Sequence, residues 1–369
     1  MEKGSLIERR LDSAVFREIK KTDKSIVMGA RIGHDYSDIN GIITADGTGE
    51  TPVIAWIKAT NNFACSLADA IGARLTLFLP EGTKESFIKK CMSEFAQLAE
   101  KSEMPIVGGH TQVSDSFAAP FFTVHIFGHS VQNCEDNSTL GAKNIPHQDK
   151  RSICDGSSII MCGYAGMLGT DILIQKNESI IKERFGNYFS SGYVFGTEKC
   201  SIANVAKVIT EALKIDAKIA PTLENNARIV ATLANGAGIE SALMNDTRLS
   251  ADGLKISFLH DISCGGVYAA LWQLGRFADC GFTVHNDRIP IRQETIEVCE
   301  ALDKNPYLID GTGGLLIVCV NPEPILGVLE EHGIVAALIG RIVKKGERRV
   351  AFGDGEMRTL AASTGDEIY

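Results

Sequence analysis

The ten cysteines of this 369-residue chain form no Cys-x-x-Cys pair. Zinc ribbons and disulfide frameworks both need paired spacings, so neither is expected. Most have apolar neighbours, as in Ile160-Met161-Cys162 and Ile317-Val318-Cys319, and read as small core residues in a reducing cytoplasm. No apolar run approaches the roughly 20 residues of a membrane-spanning helix. Met1-Glu2-Lys3-Gly4-Ser5 begins no signal peptide, so a cytoplasmic protein without a membrane partner is expected. Positive charge is also in deficit: 37 Lys and Arg face 46 Asp and Glu, for a net charge of −9. That argues against nucleic-acid or anionic-membrane binding but leaves room for a small anion carried with a metal ion. Three signatures are missing as well. No Gly-x-x-x-x-Gly-Lys-Ser/Thr run marks a P-loop, no strand leads into Gly-x-Gly-x-x-Gly, and no Gly-x-Ser-x-Gly elbow occurs.

What is present is an ordinary globular composition, 44% hydrophobic and 22% charged, at a length that suits two domains or one large one. The most informative stretch is Leu259 to Gly275. An apolar lead-in, Ile256 to Leu259, reads as a strand end with His260 and Asp261 at its tip, and Gly265-Gly266 open an apolar helix through Leu274. A carboxylate and a glycine turn at a helix N-terminus can hold an anion or a metal–phosphate group. They equally suit a tight strand-to-helix turn with a polar mouth.

The rest of the chain repeats this format. Leu6 to Lys20 has helical apolar spacing. Ile26 leads a short strand into a loop with Gly29, Gly33, Asp35 and Asp38, and Ile42 leads another that ends on Asp46-Gly47. Pro52 to Ala70 reads as a helix containing Asn61-Asn62, two amides that helix propensity does not favour. Arg74 to Pro80 is an expected strand, Thr83 to Glu100 an amphipathic helix, Met104 a strand start leading to Gly108-Gly109-His110, and Phe121 to Gly128 a closing strand. This β–β–α–β–α–β–β order predicts an α/β or α+β domain over residues 1–150. Gln132 to Ser152 is polar and reads as the connection. A second mixed α/β domain, 151–369, then starts at Ser157 with a strand, a glycine turn and a helix. Helices are also expected at Ile202–Leu213, Leu223–Asn235, Gln293–Leu302 and Pro322–His332. Strands are expected at Gly281–His285, Gly311–Val320 and Val335–Val343.

Four glycine-rich turns carrying an acid or polar group thus follow strands: Gly29–Asp35, Gly108–Gln112, Asp261–Gly266 and Gly311–Gly314. Aspartates on separate strand tips are the usual means of holding Mg²⁺ against nucleotide phosphates. Six histidines lie near these segments, at 34, 110, 125, 129, 260 and 285. Most have strand-like surroundings that suit a structural role, and His110 and His260, each near a glycine pair, are retained as candidates.

The order of four motifs carries a resemblance. Val107-Gly-Gly-His-Thr-Gln-Val113, Gly163-Tyr-Ala-Gly-Met-Leu-Gly-Thr170, the His260–Trp272 segment and Gly311-Thr-Gly-Gly-Leu-Leu316 together resemble the aminoimidazole-ribonucleotide synthetase (PurM-like) superfamily. Within it the hydrogenase maturation factor HypE group is nearest. Asn61 to Ser66, Leu75 to Thr83 and Asp366 to Tyr369 fit the same group, so the resemblance runs from about Ser25 onward. It implies a two-domain PurM-like fold, a homodimer formed mainly by the N-terminal domains, and ATP bound with Mg²⁺. The family uses ATP to phosphorylate an amide-type oxygen for cyclisation or dehydration, on a small molecule or a partner's group. By motif position, Asp35, Asp46 and Asp261 would be metal ligands. Gly108, Gly109, Gly265, Gly266, Gly313 and Gly314 would lie at the cofactor, and Asp261 and His110 would take part in catalysis.

The sequence departs from this pattern in four places. Asn62 stands where relatives carry Asp, Gln112 where close relatives carry Glu, and Cys264 where an acid is common. Amide oxygens can reach a cation but bring no charge, so weaker Mg²⁺–ATP binding is expected. The last cysteine is Cys319, so no counterpart is expected for the C-terminal cysteine on which HypE carries its carboxamide. Two other readings therefore stand beside the enzyme: a non-catalytic nucleotide-binding scaffold, and a hydrogenase-maturation accessory acting on a partner.

Overall fold

The computed structural model describes residues 8–19, 25–130, 150–189, 191–216, 254–362 and 365–368. The sequence motifs of the N-terminal half build a six-stranded sheet. Its strands are β1 (Ile26–Met28), β2 (Ser37–Ile39), β3 (Ile42–Gly49), β4 (Asp69–Pro80), β5 (Ile106–Ser114) and β6 (Phe121–His129), in the order β1-β2-β3-β6-β4-β5. A short helix α1 (Glu8–Ala14) precedes it, and α2 (Pro52–Ala64) and α3 (Glu85–Lys101) are the long helices of this half. In β3 every second residue is buried, so Ile43 and Ala45 face the helices while Thr44 and Asp46 face outward.

Helix α2 starts where its sequence says it should. Thr51 accepts the Ile54 N–H at 3.3 Å and Pro52 takes the first turn, where its missing donor costs nothing. The helix lies unusually close to β3. A β-carbon on Gly47 would sit 2.0 Å from the backbone nitrogen of Ala59, so only glycine permits this contact.

The C-terminal half forms a seven-stranded sheet, β13-β12-β9-β11-β7-β10-β8, from β7 (Ser158–Cys162), β8 (Ile256–Ile262), β9 (Gly281–His285), β10 (Gly314–Cys319), β11 (Ala336–Val343), β12 (Arg348–Ala351) and β13 (Met357–Thr359). Its helices are α4 (Met167–Lys176), α5 (Glu178–Phe185), α6 (residues 203–216), α7 (Gly266–Ala278), α8 (Gln293–Ala301) and α9 (Pro322–Glu331). Strands β7, β8 and β10 are buried on both faces, which explains their continuous apolar runs. Alternate residues serve different cores. Ile159, Met161, Phe258, Leu316 and Val318 pack with Val267, Leu271 and Leu274 of α7. Ile160, Cys162, Leu259, Leu315 and Ile317 join a core continuous with Trp56, Phe63, Phe95 and Phe122 of the N-terminal half. The two halves therefore share apolar packing.

Several expectations need correction. Gly108–Gln112 is no turn: it lies within β5, paired in parallel with β4 from Arg74↔Gly108 to Phe78↔Gln112. Asp38, placed in a loop from sequence, sits in the additional strand β2 and accepts the Gly41 N–H at 2.8 Å. Helix α2 ends at Ala64 rather than at Ala70, and β4 starts at Asp69, five residues earlier than expected, because its backbone pairs with β6 from Asp69↔His129 onward. The helix expected at Leu223–Asn235 and most of the Gln132–Ser152 connection lie outside the described residues.

Candidate functional site

Strand β8 is the edge of its sheet, and its tip is covered by the loop after β1. Asp35, from that loop, lies against His260, whose Nδ1 is 2.8 and 2.9 Å from the two carboxylate oxygens, and it also accepts the Asp261 N–H at 3.0 Å. A carboxylate from one half thus satisfies an edge-strand donor of the other. The His260 Nε2 donates to Gln273 Oε1 of α7 at 2.7 Å. The Asp35 carboxylate and the Gln273 carbonyl oxygen both accept, an arrangement that favours the protonated ring. Burial alone would lower its proton affinity, but Asp35 and Asp261 together lift it above the ordinary value.

Asp261 itself is 2% exposed, and neither of its oxygens has a hydrogen-bond partner among the described residues. Burial, then the nearby Asp35 carboxylate, pushes its pKa up to about 8. An unpaired buried carboxylate is costly, and in a folded site it marks a missing cation or donor.

A second group of charges completes the cleft. Lys58, the single charged residue of α2, places Nζ 2.6 Å from Asp310 Oδ2 and 3.4 Å from Cys264 Sγ. Asp310 is fully buried, and its other oxygen accepts both the N–H and the hydroxyl of Thr312, at 2.9 and 2.6 Å. Burial opposes its charge, yet Lys58 and Thr312 hold its pKa below the ordinary value. Asp366, near the C-terminus, accepts the Gly265 N–H at 3.1 Å at the mouth of α7. Burial, with Asp310 nearby, raises its pKa to about 7. Gly265 and Gly266 have φ of +79° and +66°, and a β-carbon on Gly266 would lie 2.5 Å from the Tyr307 carbonyl, so the turn cannot carry side chains. Gly313 and Gly314 lead from Asp310 into β10, facing Met167 and Ile262.

The other sequence-predicted residues go elsewhere. Asp46 is 67% exposed on the outer face of the N-terminal sheet, where its carboxylate meets His125 Nδ1. Asn62 donates to the Asp46 backbone carbonyl at 2.7 Å. His110 and Gln112, on the exposed edge strand β5, bond to each other at 3.3 Å. Gly109 lies against the Leu75 carbonyl and Gly108 faces open space near Arg74. The candidate ligands thus fall into two sets: Asp35 and Asp261 in the cleft, and Asp46 and Gln112 with His110 on the outer sheet. Asn61, singled out with Asn62, is structural: it bonds the Cys200 carbonyl at 2.9 Å and the Ile202 N–H at 3.0 Å, tying α2 to the other half.

Lys58 and Asp310 were not found from sequence. A lone lysine in an otherwise uncharged helix and an acid immediately before Gly311-Thr-Gly-Gly were the available signals. In the sequence, Asp366 stands out only within the family resemblance, and Cys264 only where an acid is common.

Residues 12–130 match the N-terminal domain of the AIR synthase related protein family, and residues 239–353 match its C-terminal domain. The chain belongs to that family. The chain is similar to a hydrogenase expression/formation protein of Methanocaldococcus jannaschii, 21% identical over 82% of this chain and 76% of its own. Carbamoyl dehydratase HypE of Rhodobacter capsulatus is 25% identical over 34% of this chain and 38% of its own. The crystal structure of the hydrogenase maturation protein HypE in complex with ATP superimposes with a TM-score of 0.60 at 16% identity, covering 97% of this chain and 92% of that one. At that identity the structural likeness establishes the shared two-domain PurM-like fold. Among the described residues, no helix of this AIR synthase-related chain is long and apolar enough to cross a membrane.

Proposed function

We propose that this AIR synthase-related protein binds ATP with Mg²⁺ and transfers the terminal phosphoryl group to an amide-type oxygen of a separate small molecule or partner group. In that step the oxygen–phosphorus bond forms as ADP departs, and the phosphorylated oxygen becomes a leaving group for dehydration or cyclisation. The observation that carries the reading is Asp261: a buried carboxylate with two unpaired oxygens, beside Asp35 and at the foot of the Gly265–Gly266 turn. Oxygen donors of that kind suit Mg²⁺, which would be held by Asp261 and Asp35 and would offset phosphate charge. The Gly265, Gly266 and Tyr268 N–H groups at the α7 N-terminus are taken by Asp366 and by the Ser263 and Tyr307 carbonyls, so what the turn offers an anion is the positive end of the helix dipole.

The outer face of the N-terminal sheet supports a homodimer. Ile42, Val107 and Phe121 are exposed on this sheet, a pattern that marks an interaction surface. Asp46, His110 and Gln112 lie on the same sheet and would then sit at the junction between two copies.

The test is ADP release from ATP, with and without Mg²⁺, across a panel of primary amides and carbamoyl compounds. Amide-dependent turnover that disappears in Asp261→Asn supports the proposal. A folded protein that binds no ATP in calorimetry overturns it. Binding without turnover on any amide favours a nucleotide-binding scaffold, the reading suggested by Asn62 and Gln112, whose amides are already engaged by protein groups.

A further inference from the structure

Cys264 Sγ and carboxylate oxygens of Asp310 and Asp366 all lie within 4.8 Å of one another. They come from three separate segments: the β8–α7 turn, the approach to β10 and the C-terminal end of the chain. Asp310 is fully buried, Asp366 is largely so, and each carboxylate is oriented from behind. Thr312 fixes one Asp310 oxygen, while the Gly265 and Ile368 N–H groups take one Asp366 oxygen each. Such backing is how metal ligands are aimed and tuned. One cation already occupies part of the space, the Lys58 ammonium between Asp310 and Cys264. Beside them stands the buried Asp261 carboxylate, which is influenced by both Asp310 and Lys58 and whose oxygens have no hydrogen-bond partner among the described residues.

We infer that Cys264, Asp310 and Asp366 form a binding site for a borderline transition-metal dication such as Zn²⁺, distinct from any Mg²⁺ that accompanies nucleotide. A thiolate with two carboxylates selects against Mg²⁺, and three protein ligands leave a fourth tetrahedral position for water or substrate. Binding displaces the Cys264 thiol proton to solvent and moves the Lys58 ammonium off Asp310, so affinity rises with pH. The partly exposed position of Cys264 gives the ion a route in. None of this depends on ATP binding.

The experiment uses the full chain, stripped with a chelator and free of nucleotide. Titration with Co²⁺ should give one bound ion per chain and a thiolate-to-metal charge-transfer band, and Zn²⁺ should displace the Co²⁺. Cys264→Ser should abolish the band and weaken Zn²⁺ binding on the order of 100-fold, and Asp366→Asn should keep the band and weaken binding on the order of 10-fold. Circular dichroism would show that both variants fold. No band, a band that survives in Cys264→Ser, or displacement of Co²⁺ by millimolar Mg²⁺ would each overturn the inference. An ATP-dependent activity that fails while the Co²⁺ band remains would count against the proposed reaction alone.

Discussion

Two polar regions of this molecule use similar residues in opposite surroundings. In the cleft, Asp35, Asp261, Asp310 and Asp366 are set against Lys58 and His260, and Asp261 is 2% exposed. On the outer N-terminal sheet, Asp46 meets His125 at 67% exposure and His110 meets Gln112 on an open edge strand. Water screens the second set, so its pairings contribute little to stability and leave the side chains available. Burial and close opposite charges displace the proton affinities of Lys58, His260, Asp261, Asp310 and Asp366, upward for most of them and downward for Asp310. Chemistry that needs poised groups belongs in the cleft, and recognition by a second molecule belongs on the sheet.

The contrast breaks most visibly at Lys58. Lys58→Met leaves the Asp310 carboxylate buried without its cation, and chemical denaturation should show a loss of about 3–5 kcal/mol. A loss below about 1 kcal/mol would mean that the cleft is wetter than its burial implies.

Asp261 sharpens the comparison through pH. Its pKa is raised in the folded state, so the native protein holds the proton that the unfolded chain gives up near pH 4. Stability is therefore complete below about pH 4 and declines as pH rises through about 8. Asp261→Asn removes that dependence, and in metal-free buffer at pH 8 the variant should exceed the parent by at least about 1 kcal/mol. Parallel stability curves for the two proteins between pH 5 and 8 would contradict the buried, unpaired carboxylate.

On the outer sheet the effect should be small. The pair His110→Ala with Gln112→Ala should change unfolding free energy by no more than about 0.5 kcal/mol in dilute protein. A larger loss that grows with protein concentration would show that a second copy covers this face.

Much of the architecture was legible because it rests on local pattern. The buried strands around Ile160, Phe258 and Ile317 appear as apolar runs, and the Gly265–Gly266 turn appears where a strand must give way to a helix at close quarters. The misreadings have a common cause. Gly108-Gly109 looks like a turn in sequence because glycine breaks strands, but at Gly109 it admits the neighbouring strand's carbonyl instead. Asn61 and Asn62 are adjacent in sequence yet do different work. Asn61 faces the C-terminal half and Asn62 faces β3, a separation that follows from the roughly 100° between successive helix positions.

By itself the sequence determined the fold class, the family and the Asp261 turn, since each is written in short-range periodicity and ordered motifs. Only the tertiary structure decided which charges meet. Lys58 and Asp310 stand 252 positions apart, and Cys264 and Asp366 are brought to the same pocket from different segments. Burial and opposition across a cleft are properties of the packed chain, and no local pattern encodes them.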